Sequence, residues 1–246
     1  MSPENTILTR RQALRAFGAG AGLAAGAVLL GAPQRLGAAM PEAVAAACTL
    51  TPEQEEGPFY VGLDRIRSNI VGSRTGVPLD LRVQIIDATT CKPLSNAAVD
   101  IWQADAIGKY SDEAQEGTSG QTWLRGVQLT DSSGIARFRT IWPGFYAGRA
   151  PHIHAKVHVG GRTSSGKYSG GHVSHGGQIF LPETTSTKVY KRSPYTSDPN
   201  TRTYRNNDRV YTQQHGSSSL LTVTGGSVTG GLQGRIVLAV APSARH

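Results

Sequence analysis

The chain has 246 residues, of which 38% are hydrophobic and 17% are charged, with 30 glycines and a formal net charge of +8. This length permits one large or two small domains, and the high glycine content with few charges favours a turn-rich all-β protein. No heptad pattern is sustained, which excludes a coiled coil. The basic residues are scattered without a run of five like charges, so we expect no nucleic-acid partner.

Residues 1–39 have the layout of a twin-arginine signal peptide. The pair Arg10-Arg11 precedes a glycine- and alanine-rich run over about residues 17–32, and residues 37–39 or 45–47 offer small-residue cleavage sites. A membrane anchor is the alternative, but the run has about 16 residues against the roughly 20 that span a bilayer. We therefore expect twin-arginine export to the periplasm or the medium, with no membrane association once the signal is removed.

Two cysteines, Cys48 and Cys91, lie beyond this segment. In an exported protein an isolated pair predicts one disulfide, which would tie a short N-terminal arm, residues 40–78, to a later turn. Two buried free thiols are the alternative. Neither cysteine has the close Cys or His neighbour of a zinc site.

Residues 79–246 are predicted to form a single β-sandwich domain with long loops. Leu79, Leu81, Val83 and Ile85 alternate with polar residues, which is typical of a strand with one buried face. Short strands separated by Gly, Pro and Asp turns favour a sandwich. Residues 160–177 and 184–217 are predicted as loops, without an amphipathic helix after residue 48. The further predicted strands cover residues 97–103, 127–129, 135–142, 152–159, 178–181, 220–224 and 235–240.

The sharpest local signal is Pro151-His152-Ile153-His154. On a strand, His152 and His154 point to one face and can converge on one metal. His158 shares that face but lies two further pleats away, so it is not included. Tyr110 and Tyr146 are nearby candidate partners, and phenolate oxygen stabilises Fe(III) over Fe(II). A zinc or copper hydrolase is an alternative, but it lacks a carboxylate placed near the histidines.

Three segments together resemble the intradiol ring-cleavage dioxygenases in order and spacing. They are Glu56-Gly57-Pro58-Phe59-Tyr60, then Asp100-Ile101-Trp102-Gln103-Ala104-Asp105 with Tyr110-Ser111, then residues 138–154, which include Pro143-Gly144, Tyr146, Arg149 and the two histidines. The resemblance covers roughly residues 48–182. It implies Fe(III) held by Tyr110, Tyr146, His152 and His154.

The resemblance also implies the reaction and further site residues. A small aromatic diol and O2 would react, with the ring cleaved between its two hydroxyl-bearing carbons to a cis,cis-muconate. Arg149 resembles the arginine that lies over the bound ring, Gln178 resembles the glutamine that orients it, and Tyr60 is expected at the substrate mouth. Tyr146, Arg149 and Gln178 are therefore the expected catalytic residues.

Two departures from the family limit what is carried over. The segment between Tyr146 and His152 is shorter than in protocatechuate enzymes, so no ring substituent is implied. The helical N-terminal region of catechol dioxygenases is missing, so its dimer is not implied either. Residues 87–99 and 130–134 also resemble transthyretin-like extracellular binding modules, a non-catalytic alternative that does not explain the two tyrosines and two histidines.

Overall fold

The computed structural model describes residues 48–246, and the predicted signal peptide therefore lies outside the described residues. Within residues 48–246, eight strands form two four-stranded sheets, which confirms the predicted β-sandwich. The strands are β1 (Pro78–Asp87), β2 (Ala98–Trp102), β3 (Arg125–Leu129), β4 (Ile135–Ile141), β5 (His152–Ser164), β6 (Lys167–Phe180), β7 (Thr222–Ser227) and β8 (Gly231–Val240). One sheet has the order β4-β1-β8-β7 and the other has β3-β2-β5-β6.

The core lies between the inward faces of these sheets. In β1 the predicted alternation is confirmed, since Leu79, Leu81, Val83 and Ile85 are all buried and the intervening residues are more exposed. β1 pairs antiparallel with β4 and parallel with β8, which makes it a central strand. From the other sheet, Ile101 on β2 and residues of β5 and β6 complete the same apolar cluster.

The prediction of a loop over residues 160–177 was wrong. β5 and β6 instead form one long antiparallel hairpin that pairs from His152 with Phe180 out to Ser164 with Lys167. Tyr168 anchors its outer half because its ring is buried and its hydroxyl accepts a hydrogen bond from the Gly161 N–H at 2.9 Å. A Cβ at Gly161 would lie 2.3 Å from that hydroxyl, so only glycine permits this contact. The predicted strand at 178–181 is the end of β6.

The expectation of no helix after residue 48 also needs correction. Two short helices, α1 (Glu183–Val189) and α2 (Arg209–Gln213), lie in the segment predicted as mostly loop. With seven and five residues, they are too short to show a helical period in the sequence. No helix within residues 48–246 is long and apolar enough to cross a membrane.

The described part of the N-terminal arm, residues 48–77, runs across both sheets. Three of its backbone N–H groups donate to strand carbonyls. Thr51 donates to β8, Gln54 donates to β6 and Ile70 donates to β4. The Cys48–Cys91 disulfide is formed, as predicted, and joins the start of the arm to the turn after β1. The arm therefore behaves as part of the sandwich, held at several points along its length.

Candidate metal centre

Two histidines and two tyrosines converge at one end of the β3-β2-β5-β6 sheet. His152 and His154 lie at the start of β5 on the same face, and their Nε2 atoms are 3.0 Å apart. Tyr146, from the β4–β5 loop, places its hydroxyl 3.3 Å from His152 Nε2. Tyr110, from the loop after β2, has its ring centroid 5.6 Å from that of Tyr146 and 6.1 Å from that of His154. The structure thus brings together all four predicted donors.

The surroundings of the two histidines favour neutral imidazoles. His152 Nδ1 lies 2.6 Å from the Ala150 carbonyl oxygen, which can only accept, so Nδ1 carries the proton and Nε2 presents its lone pair to the centre. Burial, reinforced by the charge of Arg149, lowers the pKa of His152. Burial and the neighbouring His152 lower the pKa of His154 well below its ordinary value. Both imidazoles are therefore neutral. The Trp102 ring stacks on His154 at 4.7 Å and holds its plane.

The two tyrosines differ in their surroundings. Tyr110 is buried, and its hydroxyl has no hydrogen-bond partner among residues 48–246. Burial and then the adjacent Tyr146 raise the pKa of Tyr110 well above its ordinary value. Tyr146 is less buried; burial raises its pKa, and the positive charge of Arg149 opposes this effect. Without a cation both phenols stay neutral, because a buried phenolate needs a positive charge close by.

This donor set fits a ferric ion. Two phenolate oxygens and two neutral imidazole nitrogens suit a hard, oxidised metal, and an orphaned buried hydroxyl such as that of Tyr110 is explained if it serves as a ligand. Within the described residues, no group of three or more His, Cys, Asp or Glu side chains is placed to bind a metal.

Arg149 lies beside the donors with each part of its guanidinium hydrogen-bonded. Nη1 donates to the Tyr146 hydroxyl at 3.3 Å, Nη2 donates to Gln178 Oε1, and Nε donates to Asp208 Oδ2 at 3.0 Å. Gln178 is itself fixed, because its Nε2 donates to the Glu55 carbonyl at 2.9 Å. The structure therefore brings Arg149 and Gln178 together, as the sequence predicts.

Asp208 is a site residue that the sequence analysis missed. Its side chain is fully buried, and it caps α2 by accepting from the N–H groups of Val210 and Tyr211. An aspartate before a short helix is a recognisable capping signal, but the sequence does not show that it meets an arginine 59 positions away.

Tyr60 packs against the same aromatic cluster as Tyr110 and Tyr146, through Trp102. Its hydroxyl donates to Asp100 Oδ2 at 3.2 Å, its ring packs on Trp102 at 4.8 Å, and Lys156 Nζ lies 3.6 Å from its ring centroid. The polar end of Tyr60 is thus engaged with β2, and the structure does not join it to Arg149 or to the four donors by a hydrogen bond.

Known proteins resemble this chain in sequence and in fold. A family model described as "Dioxygenase" matches residues 56–164. An intradiol ring-cleavage dioxygenase from Tetranychus urticae is 36% identical, with a TM-score of 0.73 over 81% of this chain and 98% of that one. The chain belongs to the intradiol ring-cleavage dioxygenases.

Two further relatives are more distant or match a shorter segment. The dioxygenase domain of a dioxygenase and carbohydrate-binding protein fusion from Streptomyces sp. SirexAA-E is 27% identical, with a TM-score of 0.55 over 77% of this chain and 97% of that one. A catechol 1,2-dioxygenase of Acinetobacter baylyi is 37% identical over 101 residues, which are 39% of this dioxygenase and 32% of the relative. The match thus spans about a third of that curated relative's length.

The family match covers only part of the dioxygenase's site. The four donors and Arg149 all lie within residues 56–164, whereas Gln178 and Asp208 lie beyond them. Gln178 is therefore supported by the sequence resemblance and by its contacts in this structure, and Asp208 by its contacts alone.

Proposed function

We propose that this protein is an Fe(III)-dependent intradiol dioxygenase that cleaves a catechol-type ring with O2 to a cis,cis-muconate. The observation that carries the proposal is the convergence of buried Tyr110, half-buried Tyr146 and two buried histidines beside a fixed arginine. Bound Fe(III) would act as a Lewis acid towards the catechol oxygens and as an acceptor of electron density from the ring, which makes the ring reactive towards O2. Both oxygen atoms enter the product, so no external reductant is required.

The chain's own residues divide the remaining work. His152, His154 and Tyr110 are the most buried donors and would hold the ion. Tyr146 is more accessible, and its hydroxyl already accepts a hydrogen bond from Arg149, so a phenolate at this position can accept a proton from a substrate hydroxyl. The Arg149 guanidinium would lie over the ring and stabilise the negative charge that develops there.

Phe59 of the N-terminal arm packs over the two tyrosine donors. Phe59 stacks on Tyr110 with ring centroids 4.3 Å apart and meets the edge of Tyr146 at 5.5 Å. Arg125 donates to the Phe59 carbonyl at 2.7 Å, which fixes this cover. A dry site strengthens the attraction between the bound ion and the phenolates.

The test is iron analysis and O2 uptake on the purified protein. We expect one iron per chain, a visible tyrosinate-to-Fe(III) band, and one O2 consumed per catechol. Tyr146→Phe should change the band and lower kcat, and Tyr204→Phe is the matched control because Tyr204 is 52% exposed. A protein that stays colourless and takes up no O2 after ferric loading contradicts the proposal and favours the binding-module alternative. If the protein takes up O2, a screen of substituted catechols would identify the substrate.

We also propose that the enzyme acts after twin-arginine export. The Arg10-Arg11 pair supports this proposal, as does the Cys48–Cys91 disulfide, because disulfides persist in oxidising compartments. Replacing both arginines by lysine should retain the protein in the cytoplasmic fraction of the expression host. Unchanged export of that variant contradicts the proposal.

A further inference from the structure

The carboxylate of Asp208 joins two parts of the molecule that are far apart in the sequence. Its Oδ1 accepts from the N–H groups of Val210 at 2.8 Å and Tyr211 at 3.1 Å, which caps α2. Its Oδ2 accepts from Arg149 Nε at 3.0 Å and from the Ala150 N–H at 2.7 Å. One buried carboxylate therefore accepts from four N–H donors, two at the start of α2 and two at Arg149 and Ala150.

These contacts fix both the side chain of Arg149 and the backbone that follows it. The guanidinium is held through Nε, and the following backbone is held through the Ala150 N–H. Ala150 also provides the carbonyl that fixes the tautomer of His152. Nη1 and Nη2 of Arg149 are then directed at Tyr146 and Gln178, which leaves the guanidinium little rotational freedom.

We propose that Asp208 is a positioning residue that holds the Arg149 guanidinium over the substrate, an inference that rests on the proposed dioxygenase function. Asp208 bonds to none of the four metal donors and acts through Arg149. An arginine that is fixed before the substrate binds stabilises developing charge without reorganisation, so its contribution appears in the transition state. Loss of the contact is therefore expected to lower kcat more than it raises KM.

The informative substitution is Asp208→Asn. An amide has one acceptor oxygen, so whichever way it turns, two of the four N–H donors lose their acceptor. Asp208→Ser is the second variant, because serine retains a capping oxygen for α2 and removes both contacts to Arg149 and Ala150. Asp131→Asn is the matched control, since Asp131 also joins an arginine, Arg137, to backbone N–H groups but is partly exposed.

The experiment measures iron content, steady-state rates with catechol, and anaerobic binding of 4-nitrocatechol. We expect either Asp208 variant to retain iron and to bind 4-nitrocatechol within about threefold of the wild type, while kcat/KM falls by about 10- to 100-fold. In an Arg149→Met background the same Asp208 change should alter kcat/KM by less than about twofold. The Asp131 control should stay within about twofold of the wild type.

A second readout does not depend on iron or turnover. In iron-free protein the Arg149 Nε–H should give a nitrogen-15 NMR signal that exchanges slowly with water. This protection should be lost in Asp208→Ser, which removes the contact to Arg149, and retained in Asp131→Asn. The inference is overturned if the Asp208 change lowers kcat/KM equally in the wild type and in the Arg149→Met background. It is also overturned if both Asp208 variants lose iron and 4-nitrocatechol binding. A wild type that takes up no O2 overturns the proposed function itself, whereas an active wild type matched by its Asp208 variants overturns only this inference.

Discussion

Removal of the Tyr110 hydroxyl should have opposite effects on stability without and with iron. The hydroxyl is buried and has no hydrogen-bond partner within residues 48–246. A buried hydroxyl without a partner costs about 1–3 kcal/mol, so Tyr110→Phe should leave the iron-free protein unchanged or make it more stable by about 1 kcal/mol. For a domain of this size, 1 kcal/mol corresponds to about 2–4 °C in Tm.

Tyr195→Phe provides the matched comparison. Tyr195 is also buried, but its hydroxyl accepts from the Val77 N–H at 2.9 Å and donates to the Trp142 carbonyl at 2.7 Å. Its removal leaves two buried backbone groups without partners, so the free energy of unfolding should fall by about 2–3 kcal/mol whether or not iron is bound.

With ferric iron present, the order of wild type and Tyr110→Phe should reverse. Iron stabilises the folded chain according to its affinity, and each tenfold loss of affinity removes about 1.4 kcal/mol of that stabilisation. The variant loses one anionic ligand, so it should gain less from iron than the wild type does. The assay is urea or thermal unfolding with a chelator and with ferric iron.

Two results would refute this reasoning. If Tyr110→Phe destabilises the iron-free protein as much as Tyr195→Phe does, the Tyr110 hydroxyl is hydrogen-bonded in solution. If iron stabilises the wild type and Tyr110→Phe equally, Tyr110 is not a ligand.

Three further predictions concern stability. Replacing Cys48 and Cys91 by serine should lower the free energy of unfolding by about 3–4 kcal/mol in urea, because the 43-residue separation gives a long closed loop. Tyr168→Ala should cost about 3 kcal/mol and speed hydrogen exchange in the outer β5–β6 hairpin. Burial raises the pKa of Asp100 from 3.8 to about 7, so the native state keeps a proton that the unfolded chain releases. The wild type should therefore lose up to about 4 kcal/mol relative to Asp100→Asn between about pH 4 and pH 7, and a constant difference across that range would contradict this assignment.

The parts of the fold that follow from the sequence are those with a local period. Alternation over residues 79–85 predicts β1, and the same rule places His152 and His154 on one face of β5. The outer β5–β6 hairpin, residues 160–171, shows no such alternation because it is built mainly from glycine and polar residues. Tyr168 is its one buried residue. The contact between Tyr168 and the Gly161 N–H, which joins the two strands there, has no signature in either segment alone.

The site residues also divide into those that the sequence predicts and one that it does not. Both tyrosines, both histidines and Arg149 belong to motifs with fixed spacing, so the family resemblance finds them together. Asp208 depends on where α2 packs, and its partner lies 59 residues earlier in the sequence. Such a contact is decided by tertiary packing, which a single sequence does not report.

The N-terminal arm contacts the site at three residues, Gln54, Glu55 and Phe59. Gln54 Oε1 accepts from the Gln178 N–H at 2.7 Å, and the Glu55 carbonyl accepts from Gln178 Nε2 at 2.9 Å. Gln178 in turn contacts Arg149, so the arm reaches the guanidinium through one side chain. Phe59 covers Tyr110 from the same segment. The arm thus orients the arginine and excludes water from the donors at once, and a sandwich without it would hold the same side chains in a wetter and looser site.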